Sequence, residues 1–312
     1  MILLSIVVVN WNVRDLLRDC LRSVLREMRL PPDAYELIVV DNASADGSVE
    51  MLRAEFPDIV LIASPDNNGF ARGCQIGYEQ ARGEFVLLLN PDTVVLDSAI
   101  DAMLIEMGRD LKLGIVGSRL LNSDGSFQRA TGGSFPTLRN LAWNYLFLGR
   151  VLPARWAPPA LFVDGDPRGL RPIEWVSGAS LLFRRSAVGE TIFDPAFFMF
   201  GEDMALCDRV ARGGWRVRLS ADTAIVHHHG KSFAKQSDVA VLATVHKGPR
   251  GFFRRSRGPV AAFAYDAILF AGYLVRWPLF ALAARFKPGR GHDEMARFSR
   301  RYVATMLRNK PL

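Results

Sequence analysis

Three short stretches of this 312-residue chain gather side chains able to hold a metal, accept a proton or meet phosphate. The first runs Leu87-Leu88-Leu89-Asn90-Pro91-Asp92, a carboxylate just past an apolar run. Mg2+ and Mn2+ prefer oxygen ligands and commonly bridge to substrate phosphates, a role open to Asp92. Equally, Asn90 or Asp92 does no more than start a turn with Pro91. The second stretch is Phe197-Phe198-Met199-Phe200-Gly201-Glu202-Asp203, two adjacent carboxylates opening a helix behind aromatic residues. Either they complement the dipole of that helix, or one is a general base made more basic by an apolar wall. The third is His227-His228-His229-Gly230-Lys231-Ser232, three of the chain's five histidines in a row. On extended backbone His227 and His229 share a face and His228 points away. Beside Lys231 and Ser232 they read as a metal or phosphate site.

These groups need a frame to hold them. Residues 3–9 form a continuous apolar, β-branched run, as in a strand covered on both faces. Val13, Leu16, Leu17, Cys20, Leu21, Val24 and Leu25 then follow at helical spacing, with Asn12 as the predicted N-cap. Strands over 36–40, 59–62 and 85–89 alternate with helices over 49–56, 70–81 and 98–107. That alternation predicts an α/β fold with a mostly parallel, doubly wound sheet over 1–118. Ligands on such sheets bind at the carboxyl ends of strands. The polar residues collect there: Asn10 and Asn12, Asp41 and Asn42, Asn90 and Asp92. Gly132-Gly133, Pro153, Pro158-Pro159 and Pro167 predict a loop-rich excursion over 119–172 rather than a new domain. A pair of strands over 173–176 and 180–183, a helix over 203–212 and a strand over 223–226 complete the expected frame.

Composition narrows the class. With 49% hydrophobic and 23% charged residues, the chain buries an ordinary core and is neither disordered nor a disulfide-stapled miniprotein. Cys20, Cys74 and Cys207 are odd in number, far apart and match no metal spacing, which points to a reducing compartment. The N-terminal MILLSIVVVN lacks a basic leader and reads as a buried strand, not a signal peptide. The first turn, Asn10-Trp11-Asn12, has no glycine, which disfavours a G-x-G-x-x-G dinucleotide site, and a P-loop is also missing. The net charge of +7 divides unevenly: residues 246–312 carry 14 Lys/Arg against 3 Asp/Glu, and residues 1–245 carry 25 against 29.

In order and spacing the stretches SIVVVNWN (5–12), VVDNASADGS (39–48), NNGFARG (67–73), GEFVLLLNPDTVV (83–95), WVSGASLLFRR (175–185), FDPAFFMFGEDMALCDR (193–209) and HHHGKS (227–232) resemble the inverting family 2 glycosyltransferases. The likeness is to their rhamnosyltransferase-like bacterial branch and covers residues 3–232. It implies a GT-A fold and a nucleotide-diphospho-sugar donor at the strand ends, with Asn10 and Asp41 on base and ribose, Asn42 close by and Arg72 near the pyrophosphate. It further implies that Asn90-Pro91-Asp92 takes the place of the family's Asp-x-Asp motif, with Asp92 and His227 holding Mg2+ or Mn2+. Asp203 matches the catalytic base, and Trp175, Gly178 and Glu202 belong to the acceptor side. A catalytic domain over 1–245 is expected, with 1–118 the donor half and 119–245 the acceptor half. Three positions depart from the pattern: Asn90 replaces the first acid, Ala205 stands where a second acid is common, and Gln75 replaces an Asn.

The basic tail over 246–312 is expected to be helical. Asp266, Arg276 and Pro278 interrupt its apolar stretch 259–286, which disfavours a membrane span. A membrane-surface helix pair through 250–290 is expected, with packing or oligomer contact as the alternative. No nucleic-acid recognition motif is present. The sequence reading is therefore a cytoplasmic, membrane-peripheral, metal-dependent transferase moving rhamnose onto a lipid-linked or growing glycan. Another nucleotide sugar, and a non-catalytic scaffold of the same fold, are the rival readings.

Overall fold

The computed structural model describes residues 2–163, 165–166, 169–228, 238–286 and 291–308. They form two compact units, one drawn from Met1–Phe135 and Phe162–Lys235, the other from Pro136–Leu161 and Gln236–Leu312.

In the first unit, β1 (Leu4–Asn10), α1 (Arg14–Glu27), β2 (Tyr35–Asn42), α2 (Ser48–Glu55), β3 (Val60–Ser64), α3 (Gly69–Gln80) and β4 (Phe85–Leu89) alternate as predicted. After them come β5 (Thr93–Val95), α4 (Ala99–Arg109), β6 (Leu113–Leu121) and a two-residue β7 (Gly132–Gly133). The second unit contributes α5 (Leu138–Tyr145). The chain then returns to the first with β8 (Leu170–Pro172), β9 (Trp175–Val176), β10 (Ser180–Arg184), α6 (Arg185–Val188), α7 (Glu202–Arg212) and β11 (Arg216–His227). The main sheet runs β3-β2-β1-β4-β10-β6-β11-β5, with β8 on β11. Pairings among β1 to β4 and between β6 and β11 are parallel, whereas β10, β5 and β8 run against their neighbours. The sheet is therefore mostly parallel.

Period-two alternation sorts the core into two layers. Leu4, Ile6 and Val8 pack with Leu17, Leu21, Leu52 and Met103 on one face, whereas Val7, Val9 and Val40 pack with Cys74 and Leu206 on the other. On that second face α3 lies unusually close to the strands. A Cβ on Gly73 would sit 2.7 Å from Val9 Cγ1 and 3.2 Å from Asn42 Nδ2.

Three local expectations need correction. The strands predicted over 173–176 and 180–183 do not pair with each other. β9 joins β7 in a separate two-stranded sheet, and β10 inserts between β4 and β6. All five β10 residues are buried, as a strand with neighbours on both sides requires. Asn12 does not cap α1; its Oδ1 accepts from the Ala45 N–H at 2.7 Å, and Asp46 Oδ2 takes the Arg14 N–H at 2.8 Å. The excursion over 119–172 is not one loop, because β6 runs to Leu121 and residues 136–161 belong to the second unit.

The second unit is helical: α5, α8 (Asp238–Arg257), α9 (Pro259–Phe286) and α10 (His292–Leu307). α9 is about 42 Å long at 1.5 Å per residue. Gly272 lets it approach Tyr145 of α5 closely, and Tyr273 stacks near Tyr302 of α10 with ring centroids 4.4 Å apart.

Candidate functional site

The carboxyl ends of β1 and β2 meet in register, Asn10 opposite Asp41. Asn10 is fully buried and donates to Asp41 Oδ1 at 2.7 Å and to Ser44 Oγ at 3.1 Å. Asp41 Oδ2 accepts from the Ser44 N–H at 2.9 Å, which folds the chain back over the strand end. Ala43, φ +58, takes the left-handed conformation in this loop. Next to Asp41, Asn42 donates to the Gly69 carbonyl at 3.0 Å and so ties β2 to the start of α3. Asn10 Oδ1 and Asn42 Oδ1 are sealed from solvent without a hydrogen-bond partner among the described residues. Two orphaned amide acceptors at adjacent strand ends are an exception to the rule that buried polar atoms are paired.

Asp92 lies in the turn between β4 and β5. Its position is set from three sides. The Asn90 N–H donates to the Ala179 carbonyl at 3.0 Å, Thr93 Oγ1 donates to the Asn90 carbonyl at 2.7 Å, and the His228 N–H donates to the Asp92 carbonyl at 2.8 Å. The antiparallel pairing of β5 with β11 puts Thr93 opposite His227, which carries the histidine to the carboxylate. His227 Nε2 is 3.4 Å from Asp92 Oδ1 and 3.3 Å from Asn90 Nδ2.

His227 Nδ1 lies 2.8 Å from Gln128 Oε1. The amide of Gln128 donates to Asn122 Oδ1 at 3.0 Å and to the His227 carbonyl at 3.3 Å. Its oxygen is therefore the acceptor for an Nδ1–H, which leaves Nε2 facing Asp92. A buried carboxylate and an imidazole lone pair at one spot fit a divalent cation. Among the described residues no third His, Cys, Asp or Glu joins them, so water and phosphate oxygens would supply the rest of the shell, as is common for Mg2+. His229, Lys231 and Ser232 lie outside the described residues.

Glu202 and Asp203 open α7 behind the aromatic run. That run is anchored to the start of α3: the Phe70 N–H donates to the Phe198 carbonyl at 2.9 Å, and a Cβ on Gly69, φ +76, would collide with the Phe198 ring. Asp203 Oδ2 accepts from the Gly178 N–H at 3.2 Å and Oδ1 from the Met204 N–H at 2.8 Å. Gly178 itself packs between the Phe70 ring and Asp203. Burial pushes the Asp203 carboxyl above its ordinary range, against the opposing pull of those N–H groups. Glu202, 4% exposed with Oε2 unpartnered, is raised further, by desolvation first and the Asp203 charge second. Burial thus favours the proton on both carboxyls, on Glu202 more than on Asp203.

The turn before β10 links the two centres. Gly178 binds the Asp203 carboxylate through its N–H, and the next residue, Ala179, binds the Asn90-Pro91-Asp92 turn through its carbonyl. Trp175 is buried, its indole N–H donating to the Ser134 carbonyl at 3.0 Å, which ties β9 to the segment after β7. Arg72, in the first turn of α3, is exposed, and its guanidinium lies 3.5 Å from Glu79. Gln75 ties α3 to the segment before α7, accepting from the Ile192 N–H at 2.9 Å. Gln128 escaped the sequence reading. Its signal was the Asp124-Gly125 turn, Gly125 at φ +80, which doubles the chain back along β6.

Residues 5–189 match the sequence profile of glycosyl transferase family 2. The chain is 26% identical over 261 residues to the N-acetylglucosaminyl-diphospho-decaprenol L-rhamnosyltransferase of Mycobacterium tuberculosis, covering 78% of this chain and 81% of that protein. It is 25% identical over 210 residues to the poly-beta-1,6-N-acetyl-D-glucosamine synthase of Staphylococcus aureus, covering 67% of this chain and 45% of the synthase. Its fold is similar to that of a mannosyltransferase from Pyrobaculum calidifontis solved with GDP-Man and Mn2+, with TM-score 0.60, 16% identity and coverage of 98% of this chain and 86% of that one. The GT-A fold implied by the sequence stretches is the fold found. Matched over more than half its length, the chain belongs to glycosyl transferase family 2 and is a glycosyltransferase.

Proposed function

We propose that this glycosyltransferase moves rhamnose from deoxythymidine-diphospho-rhamnose, with inversion, onto a lipid-linked or growing glycan at the cytoplasmic face of the membrane. The observation that carries the reading is the Gly178–Ala179 turn, which fixes a raised carboxylate and a carboxylate–imidazole pair through consecutive residues. The donor and acceptor follow the rhamnosyltransferase relative, whose name specifies a diphospho-decaprenol-linked acceptor.

Asn10, Asp41 and Asn42 hold the nucleotide at the carboxyl ends of β1 and β2. Asp92 and His227 would hold a divalent cation, which when bound neutralises charge on the departing diphosphate. Asp203 accepts the proton of the attacking acceptor hydroxyl, and its raised basicity suits that task. One carboxylate at the sugar suffices for a single inverting displacement. Gly178 keeps the base aimed by its N–H and, lacking a side chain, leaves room beside Phe70. Trp175 and Glu202 act on the acceptor side through support, since both are buried. Arg72 would reach the pyrophosphate only by swinging away from Glu79.

A nucleotide-sugar panel followed by thermal shift with Mn2+ tests the donor. Deoxythymidine-diphospho-rhamnose should raise the melting temperature most; a larger shift from a uridine or guanosine donor removes rhamnose from the reading. Asp203→Asn should abolish transfer and keep donor binding, and unchanged turnover would remove the base.

A further inference from the structure

α9 is apolar on all sides, a pattern that belongs to helices buried in protein or lipid, yet one of its faces is uncovered. Among the described residues it is the helix long and apolar enough to cross a membrane by length and composition. Val260, Phe263, Ala267, Leu274, Pro278 and Leu282 fall within an arc of about 100° at 3.6 residues per turn. All six are exposed, Phe263 at 74% and Leu282 at 55%. No charge interrupts this stripe over about 33 Å of helix. The first charge on the same arc is Arg285, at its end.

The two charges inside α9 are turned the other way. Asp266 is bound by Arg250 of α8 at 2.8 Å. Arg276 donates to the carbonyls of Asn144 and Tyr145 and stacks on the Tyr145 and Phe147 rings. Both are therefore satisfied within the helical unit, and the outer face is left free of polar groups. Exposed Arg254 and Arg257 at the end of α8 and Arg285 at the end of α9 bracket the stripe with positive charge. Trp277, under the guanidinium of Arg300, sits at its margin.

We infer that α9 docks lengthwise on an anionic lipid surface through this stripe, lying in the interface and not spanning it. The apolar face enters the acyl boundary while the bracketing arginines meet acidic headgroups. Spanning is excluded by what is packed on the other side. α8 lies along the first half, with Phe253 on Tyr265, and α10 along the second, with Tyr302 on Tyr273 and His292 near Phe280. α10 exposes Asp293, Glu294, Arg297 and Arg300, which a crossing α9 would drag into hydrocarbon with the Asp266–Arg250 pair. The inference rests on the membrane-surface reading above but not on the donor or the metal.

The test uses the full chain, without nucleotide sugar, and vesicles of phosphatidylcholine with or without phosphatidylglycerol. The wild type should sediment with the anionic vesicles only and be released by alkaline carbonate. Phe263→Asp and Leu274→Asp, both at exposed positions, should each weaken vesicle binding by about tenfold or more with the melting temperature unchanged; Phe263→Ala with Leu274→Ala is the milder second variant. A wild type that ignores every vesicle overturns the membrane reading as a whole. Vesicle binding untouched by the stripe variants overturns the docking face alone. Resistance to carbonate shows a span, and a wild-type dimer that the variants dissociate gives the stripe to a second copy; either result overturns the inference.

Discussion

Glu202→Gln separates a buried acid that carries a proton from one that carries a charge. Glu202 is sealed in the core with Oε2 unpartnered and Asp203 next to it, and desolvation raises its carboxyl well above the ordinary 4.5. In the unfolded chain the same group ionises near that ordinary value. At any pH between the two, the folded state binds one proton more, so the free energy of unfolding falls as pH rises. While the window lasts, the slope is at most about 1.4 kcal/mol per pH unit. The contribution is fully present below the ordinary glutamate value and is lost as pH climbs toward the raised one. Glutamine binds no proton in either state and lacks the slope. Urea midpoints of the two proteins should therefore coincide in acid and diverge with pH, the variant becoming more stable by the amount given. In melting temperature each pH unit at full slope is about 3–6 °C for a unit of this size. Asp203 is coupled to Glu202, so the difference between the two curves reports the pair and not Glu202 alone. Because glutamine mimics the protonated acid, turnover should persist. Parallel stability curves, or a pH–rate profile displaced by the substitution, would show that Glu202 is ionised in the fold and refute the reasoning.

As the proposed base, Asp203 would have to be ionised to accept a proton, and burial raises its pKa, so turnover should climb with pH along a limb above the ordinary 3.8, then level off; a kcat profile flat from the ordinary carboxylate range upward argues against this base. Gln128→Leu removes the acceptor that fixes the His227 tautomer and should weaken Mn2+ binding, measured calorimetrically with nucleoside diphosphate present, by about 10–100-fold. Unchanged Mn2+ affinity would show that Gln128 does not orient the imidazole. Gly73→Ala pushes a methyl against Val9 and Asn42 and should cost about 1–3 kcal/mol in urea denaturation while lowering donor-induced stabilisation. A neutral Gly73→Ala would mean that α3 shifts freely.

What the sequence disclosed was local. Continuous apolar runs fixed β1, β2 and β4, and the polar residues just beyond them, Asn10, Asp41 and Asp92, mark the strand ends where the structure places them. Asp203 and His227 were legible as residue types on a helix start and a strand end. Partnership across the chain was not legible. Gln128 lies 99 residues from His227, and nothing in its own neighbourhood says that it faces an imidazole. β10 reads as a buried strand, but a run of Ser-Leu-Leu-Phe-Arg carries no sign of its direction, so its antiparallel insertion beside β4 was missed. Asn12 had the right chemistry for a helix cap and lost the position to Asp46, 32 residues away from the N–H it binds. The uncovered face of α9 was foreshadowed by composition alone, because its charges are arranged by α5 and α8 and not by spacing within the helix.

The pairing of β10 with β4 sets Ser180 opposite Leu89, which places Ala179 beside Asn90. A slip of one residue would carry Gly178 and Ala179 about 3.4 Å along the strand and exchange inward for outward side chains. In the proposed reaction, leaving group and nucleophile would lose their supports in the same movement. Five buried side chains in the middle of the sheet thus act as the alignment tolerance of the reaction, and a core substitution there, remote from any substrate, should be read first as a fault of aim.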